Sequence, residues 1–308
     1  MDTQFNSNPI IHIGYNKTAT TWFQQNLFPF VRNCHYVKPK IINKELIYKD
    51  HYLFEKQKTR DFFESLSNKR LLISSEDFCL TARSNPFFKV GILKRVKETF
   101  PDAHMIVFIR NQLDRLLSLW LFYIKNSGGT YSFEKFIANK ISRKYGGHSD
   151  ISLNNLRYHY FLNSMVEIFG RENVSIYLYE EFASSNLQFT SLFCERHNFE
   201  VDLEKINFSK ANEGLRKHLV PLYRFTNLFT KPKILHRNFA LNIPGFDKLI
   251  SKKLYVLNNF KLMGKKVSPK DFANKKTLDY IADYYKESNS ILVKQFGLPL
   301  KKFGYPLE

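Results

Sequence analysis

Short apolar runs recur along the chain up to Leu178, and stretches with helical spacing separate them. Four of these runs are Ile10–Ile13, Leu71–Ser74, Met105–Ile109 and Val174–Leu178. None of them alternates between apolar and polar residues, which is typical of strands that are buried on both faces. Strands that alternate with helices favour a parallel sheet covered by helices on both sides. The sequence therefore predicts a three-layer α/β fold with a central parallel sheet.

The charge of the chain is strongly basic. It holds 47 lysines and arginines against 28 acidic residues, a formal net charge of +19, and region 205–276 alone holds 17 basic against 3 acidic residues. A solvated helical surface would explain this region, and so would a basic lid or cleft wall over an anionic substrate or lipid head groups. We expect an anionic partner, but not nucleic acid, because no recognition motif is present.

The length and the apolar content, 308 residues and 44%, suffice for one large core. We expect a single domain over 1–308, with an α/β core at 1–204 and a basic, mostly helical lid or substrate-binding segment at 205–276. A C-terminal helix and tail would follow at 277–308, the helix ending before Gly297.

The location is predicted from the cysteines and from the apolar segments. The three cysteines are widely separated and form no metal-ligand or disulfide pattern, which favours a reducing compartment. The first residues lack the features of a signal peptide, and the longest apolar run, 116–124, is too short to cross a bilayer. We expect a cytoplasmic protein, with an additional peripheral contact to anionic membrane.

The first strand leads into a segment suited to phosphate. After Ile13 the sequence reads GYNKTATTW, in which one lysine and three threonines precede a stretch with helical spacing. Backbone N–H groups at the start of a helix, together with hydroxyls and an ammonium, form a seat for phosphate. The ATP-binding pattern GxxxxGK[ST] is absent, because Asn16 precedes Lys17 and Gly14 lies only three residues before it. A plain strand-turn-helix, in which Thr20 and Thr21 only cap the helix, is the alternative.

This segment resembles the 5′-phosphosulfate loop of sulfotransferases that use 3′-phosphoadenosine 5′-phosphosulfate (PAPS). The usual form has a lysine, a serine or threonine, a glycine, two threonines and often a tryptophan. The resemblance implies a P-loop-type fold, PAPS as the sulfuryl donor without a required metal, and a cofactor-binding set of loop residues. That set is Lys17, Thr18, Ala19, Thr20, Thr21 and Trp22. Ala19 stands where the family has glycine, which matters if the backbone there needs a positive φ.

A second motif follows the third predicted strand. Arg110 stands directly after Ile109, and Ser118 lies eight residues further on in a predicted helix. An arginine offers a planar fork to phosphate oxygens, and a serine adds a hydroxyl donor. In the sulfotransferases that this chain resembles, such a pair holds the 3′-phosphate. The family's proline after asparagine is replaced here by Gln112.

The acceptor must lose a proton, so a general base is expected beyond a neighbouring strand. Glu76 follows the second predicted strand, at the place where similar carbohydrate sulfotransferases carry a catalytic glutamate. Asp77 offers the same chemistry, and either carboxylate could instead only favour the start of a helix. No histidine follows that strand. The basic segment of the cytosolic eukaryotic branch is missing, and Arg216 or Lys217 in KANEGLRK is the nearest substitute, with plain surface charge as the alternative.

The resemblance implies a sulfotransferase that acts on a hydroxyl or amine of a carbohydrate or glycolipid acceptor, an acidic one included. Glu76 would be the general base, and Lys17 would stabilise the leaving phosphate. Two other functions stay open at this point. A P-loop-type kinase that uses ATP and magnesium would need an acidic metal ligand after a strand, and a non-catalytic binder of anionic polymers or membranes would depend on the charge of region 205–276 alone.

Overall fold

The computed structural model describes residues 8–79, 88–138, 153–209, 214–230, 241 and 243–308. The chain forms two compact units. The first comprises Met1–Arg110 and Arg157–Ala211, and the second comprises Asn111–Leu156 and Asn212–Glu308. The division into 1–204, 205–276 and 277–308 stays a prediction.

A five-stranded parallel sheet organises the first unit. Its strands are β1 (Ile10–Gly14), β2 (Cys34–Val37), β3 (Arg70–Ser75), β4 (His104–Ile109) and β5 (Val174–Leu178), in the order β2-β3-β1-β4-β5. The predicted α/β fold and the four predicted strands are confirmed. The strand β2 was not predicted, because an edge strand that pairs only with β3 needs no continuous apolar run, and its sequence CHYV has none.

Helices surround the sheet and make up most of the second unit. Those of the first unit are α1 (Thr20–Trp22), α2 (Pro39–Ile42), α3 (Lys56–Glu64), α4 (Phe88–Thr99), α7 (Tyr158–Phe169), α8 (Tyr179–Ser184) and α9 (Asn186–Arg196). Those of the second unit are α5 (Gln112–Ser127), α6 (Phe133–Ile137), α10 (Leu219–Thr226), α11 (Phe246–Leu257) and α12 (Lys275–Phe296). No helix in the described ranges is long and apolar enough to span a bilayer.

The register of the sheet brings the ends of three strands to one edge. Ile13 pairs with Ser75 of β3 on one side and with Val107 of β4 on the other. The chain leaves β1 toward β2 and leaves β4 toward β5, which lie on opposite sides of the sheet. The gap between β1 and β4 is therefore the point at which α/β sheets of this kind bind ligands, beyond the carboxyl ends of the strands.

The core of the first unit contains a histidine among aromatic rings. His12 is fully buried, its Nδ1 lies 2.8 Å from the Ser74 hydroxyl, and its ring packs against Phe23, Phe28 and Phe108. Burial lowers the pKa of His12 to about 3, so the ring is neutral near pH 7. His12 is thus a core residue of β1.

The second unit ties its C-terminal tail to the start of α5. Gln112 and Asn289 are both buried, and their side-chain amides bond each other, with Gln112 Nε2 2.6 Å from Asn289 Oδ1. Asn111 caps α5 by accepting from the Leu113 N–H and donates its own Nδ2 to the Gly304 carbonyl at 3.0 Å. Asparagine at this turn therefore both caps the helix and anchors the tail.

The C-terminal helix follows its prediction closely. The expected Thr277–Phe296 begins two residues earlier, at Lys275, because the Asn274 side chain caps it by accepting from the Thr277 N–H. Gly297 ends the helix with a φ of 66°, the left-handed conformation that glycine adopts without strain.

Two cations considered as substitutes for the missing basic segment are engaged within the second unit. The Arg216 guanidinium donates to the carbonyls of Asn258 at 2.8 Å and Gly264 at 2.9 Å. The Lys217 ammonium pairs with Asp271 at 2.9 Å. These bonds give both side chains a structural role, whereas the alternative left open for them was plain surface charge. A part for either cation in a cofactor site stays a prediction.

Candidate functional site

The loop after β1 has an unusual backbone. Lys17 and Ala19 both have left-handed φ values, 70° and 66°, and Thr18 between them does not. Alternation of this kind turns successive N–H groups toward one side and makes a concave anion seat. The N–H groups of Thr20 and Thr21 continue it, because they lie in the first helical turn, where no intrahelical acceptor exists. The backbone of the loop therefore has the shape of an anion seat, with an alanine at one of its two left-handed positions.

The close approach of the loop to β1 explains Gly14. A Cβ at this position would overlap the Thr20 side chain, so the turn has no room for one. The hydroxyls of Thr18 and Thr20 both donate to the Tyr15 carbonyl, the second at 3.5 Å. Both side chains are buried, whereas Thr21 is exposed. Two of the three predicted hydroxyl ligands thus brace the loop from within.

Trp22 fixes the other end of the loop in the core. Its indole N–H donates to the Asn207 carbonyl at 3.0 Å, and its ring lies 4.9 Å from that of Phe182. Only 4% of the residue is exposed. Its contacts within the described residues are those of a core side chain, and a direct contact with cofactor stays a prediction.

Arg110 lies against the same loop. Its guanidinium donates to the Lys17 carbonyl at 3.0 Å and stacks on the Tyr179 ring at 4.3 Å. The Tyr158 hydroxyl donates to the Arg110 carbonyl at 2.7 Å and holds its backbone. The structure therefore brings the two predicted anion-binding motifs together, across the gap between β1 and β4.

One nitrogen of the Arg110 side chain, Nε, takes no part in these contacts. This nitrogen is buried and has no hydrogen-bond partner in the described part of the chain. A buried N–H without an acceptor costs about 1–3 kcal/mol, so such a group is expected to serve a ligand. An anion bound beside Lys17 and Arg110 would supply the acceptor.

The two candidate bases differ in their surroundings. Glu76 is the first residue after β3. Because Ser75 pairs with Ile13 of β1, Glu76 lies beside Gly14, at the carboxyl ends of the two strands. It is half-buried. Asp77 accepts a hydrogen bond from the Asn43 amide, and Asn43 in turn accepts one from Ser75 at 2.7 Å. Asp77 is therefore engaged in a network that ties β3 to the helical turn after α2.

A third cation near the loop was missed. Lys89, in the first turn of α4, is 8% exposed, and its ammonium lies 5.9 Å from the centre of the Tyr15 ring and 5.8 Å from that of Phe161. Tyr15 directly follows Gly14. The sequence gives no signal for this residue, because Lys89 is one of several lysines in α4.

Ser118 lies on α5 of the second unit and is half-buried. Its role beside Arg110 stays a prediction. Within the described residues, no group of three or more His, Cys, Asp or Glu side chains is arranged to hold a metal ion.

Comparison with known proteins supports the fold. No family model matches the sequence, and no curated protein matches it either. Among solved structures, a mouse sulfotransferase complexed with PAP is similar over 96% of this chain and 88% of its own, with a TM-score of 0.50 and 14% identity. A sulfotransferase from Alicyclobacillus acidocaldarius is similar over 67% of this chain and 87% of its own, with a TM-score of 0.49 and 18% identity. At 14% identity the likeness to the mouse protein shows the fold alone: both chains have the same parallel α/β architecture.

The site suits an anionic ligand in its chemistry. The seat of the loop, the Lys17 ammonium and the unpartnered Arg110 Nε are all donors, and they stand at one strand edge. A half-buried carboxylate, Glu76, follows the neighbouring strand. The arrangement can bind anionic groups, and the turn after β3 offers the two carboxylates Glu76 and Asp77 as candidate proton acceptors.

The left-handed alanine gives a test of the loop conformation. We expect Ala19→Gly to raise the free energy of unfolding by about 0.5–1 kcal/mol, because relief of the Cβ clash exceeds the entropy that glycine adds to the unfolded chain. Ala183 is an exposed alanine in α8 and serves as the matched control. Ala183→Gly should lower the same quantity by about 1 kcal/mol. Denaturant unfolding measures both, and equal destabilisation by the two changes would contradict the left-handed loop.

Proposed function

We propose that this protein is a sulfotransferase that moves a sulfuryl group from PAPS to a hydroxyl or amine of a carbohydrate or glycolipid. The observation that carries the proposal is the hydrogen bond between Arg110 and the Lys17 carbonyl. It joins two motifs, 93 residues apart in sequence, that match the two phosphate ends of one nucleotide. The fold shared with the mouse sulfotransferase, which is complexed with PAP, supports the same conclusion.

The residues of the site take distinct parts in binding. We infer that the N–H groups of 17–21 seat the 5′-phosphate, since alternating backbone conformations and a helix start both favour an anion. Arg110 would hold the 3′-phosphate through its unpartnered Nε, with Ser118 as the predicted second donor. Tyr179 and Tyr158 keep Arg110 in place, so the fork is held in position before the ligand arrives.

Sulfuryl transfer requires stabilisation of the charge on the leaving phosphate and removal of one proton from the acceptor. PAPS supplies the sulfuryl group, and negative charge builds on its phosphate as that group leaves. The Lys17 ammonium would neutralise this charge, as cations do for phosphoryl groups in transfer. Glu76 would accept the proton of the acceptor hydroxyl or amine.

The acceptor is inferred from the surface of the second unit. On α11, the exposed residues Leu249, Lys252, Lys253 and Val256 are spaced as one helix face. Apolar side chains flanked by lysines suit the surface of an anionic membrane, in which the ammonium groups reach the head groups. We therefore propose that the protein contacts an anionic membrane peripherally. A glycolipid in that membrane would be the acceptor, and the protein would be located in the cytoplasm.

The donor proposal predicts that the protein binds 3′-phosphoadenosine 5′-phosphate (PAP) in preference to ATP. PAP at about a hundred times its Kd should raise the Tm of the wild type by about 5–10 °C, and ATP with magnesium should raise it less. Arg110→Ala should abolish the difference between the ligands. Arg32→Ala, an exposed arginine of the same unit, should leave it unchanged. Magnesium-dependent ATP turnover without sulfuryl transfer would favour a kinase instead.

The base proposal predicts a separation of binding from turnover. Glu76→Gln should bind PAP within about twofold of the wild type but lose about 10²–10⁴ in kcat for sulfuryl transfer, because the amide accepts no proton near pH 7. Asp77→Asn is the matched control and should keep most of the turnover. Unchanged kcat in Glu76→Gln would remove this residue from its role.

The membrane contact can be measured by sedimentation with vesicles. Wild type should bind vesicles that contain phosphatidylserine and should not bind neutral ones. Lys252→Glu together with Lys253→Glu should reduce that binding by about tenfold or more, at about 1 kcal/mol for each lysine removed. Lys275→Glu with Lys276→Glu makes the same charge change on α12. Equal losses in both pairs would mean that net charge alone drives adhesion.

A further inference from the structure

The first unit has a pocket at the end of the sheet opposite to the loop. It has a volume of about 570 Å³ and is lined by the first residues of three strands, Arg70 of β3, His104 of β4 and Val174 of β5. The loop follows the carboxyl end of β1. The two sites are therefore separated by the length of the strands, about 16 Å for the five steps of β4.

Cations dominate the lining of this pocket. Three arginines, Arg70, Arg171 and Arg196, face one carboxylate, Glu172. Arg70 and Arg196 make no ion pair among the described residues. Two histidines, the hydroxyl of Ser175 and the side chain of Asn198 complete the polar lining. Because the apolar lining is small, the pocket suits a polar, anionic ligand.

Backbone carbonyls hold two of the arginines. Arg70 donates through Nε to the Asn8 carbonyl at 2.6 Å and through Nη1 to the His197 carbonyl at 3.2 Å. Arg171 donates through Nη1 to the Val174 carbonyl at 2.8 Å. Carbonyls orient a guanidinium without cancelling its charge. The guanidiniums of Arg70 and Arg171 are thus fixed in position.

The histidines report the local potential. His197 is buried, with its Nε2 2.8 Å from the Tyr177 hydroxyl, and burial together with nearby His104, Arg196 and Arg70 lowers its pKa to about 3. His104 lies 2.9 Å from the Ser175 hydroxyl, and burial followed by Arg70 and Arg196 lowers its pKa as well. The positive charges of Arg70 and Arg196 thus act on both rings. A bound anion would reverse that influence.

Helix dipoles explain only part of this cluster. Arg196 stands in the last turn of α9, where a cation is favoured by the helix dipole. Arg70 begins a strand and gains no such stabilisation. Placing it in one pocket with Arg196 raises the energy of the folded chain through repulsion, and a dianion in the pocket would relieve it.

We propose that this pocket binds the phosphate or sulfate group of a small anionic ligand. Its charge, its fixed guanidiniums and its hydroxyl match a tetrahedral oxyanion, and its volume leaves space for the remainder of an ester. The site is independent of the proposed sulfuryl transfer. It gives the protein a second anion site at the amino ends of the strands.

Binding in the pocket can be detected by NMR through its two histidine rings. We would label histidine with ¹³C and titrate the full-length protein with inorganic sulfate, inorganic phosphate and AMP, following the ring signals by NMR. Saturable shifts of His104 and His197 are expected, with His51, an exposed residue outside the pocket, as the internal reference. Tighter binding of AMP than of the inorganic ions would identify an ester as the ligand, and equal binding would identify the free ion.

Matched variants decide the assignment. Arg196→Gln and Arg171→Gln, both at exposed positions, should each weaken the binding by about tenfold, the value of one charged hydrogen bond. Arg32→Gln removes the same charge outside the pocket and should change the binding by less than about twofold. The proposal is overturned if His104 and His197 show no saturable shift, if neither pocket variant weakens the binding, or if Arg32→Gln weakens it equally.

Discussion

The position of β1 between β3 and β4 determines the rest of the site. Parallel pairing on both sides of β1 brings the loop, Glu76 and Arg110 to the same edge of the sheet. Because the connections from β1 and β4 leave in opposite directions, the gap between these strands stays open to a ligand. The hydrogen bond from Arg110 to the Lys17 carbonyl crosses that gap and links residues from two strands into one anion site.

This arrangement carries a conformational cost in the free protein. Two residues other than glycine, Lys17 and Ala19, adopt left-handed conformations, and each costs about 1–2 kcal/mol. The Arg110 Nε adds a buried donor without a partner among the described residues. Buried contacts that hold the loop from both ends offset these costs: the threonine hydroxyls on the Tyr15 carbonyl, and Trp22 in the aromatic core. Strain of this kind is found where a chain is shaped in advance for a ligand.

Much of the architecture could be predicted because it is encoded in local patterns. Apolar runs specified four strands, and a run ending at Gly297 specified α12, since burial and helix capping act over a few residues. Features that arise only when distant segments meet could not be predicted. The edge strand β2 has no apolar run of its own, and Lys89 reaches the loop only through the packing of α4. The cluster of Arg70, Arg171 and Arg196 gathers cations that are separated by up to 126 residues in the sequence. The structural roles of Thr18 and Trp22 could not be predicted either, because a sequence motif does not indicate which of its side chains are buried.

The central claim is that Arg110 and the Lys17 loop hold opposite ends of one bisphosphate nucleotide. The most direct measurement compares the affinities of PAP and AMP for the wild type and for Arg110→Ala. AMP lacks the 3′-phosphate of PAP. We expect the wild type to bind AMP about 2 kcal/mol more weakly than PAP, and Arg110→Ala to bind the two almost equally, because the variant lacks the side chain that contacts this phosphate. Equal weakening of PAP and AMP by Arg110→Ala would contradict the claim, since Arg110 would then not distinguish the two ends of the ligand.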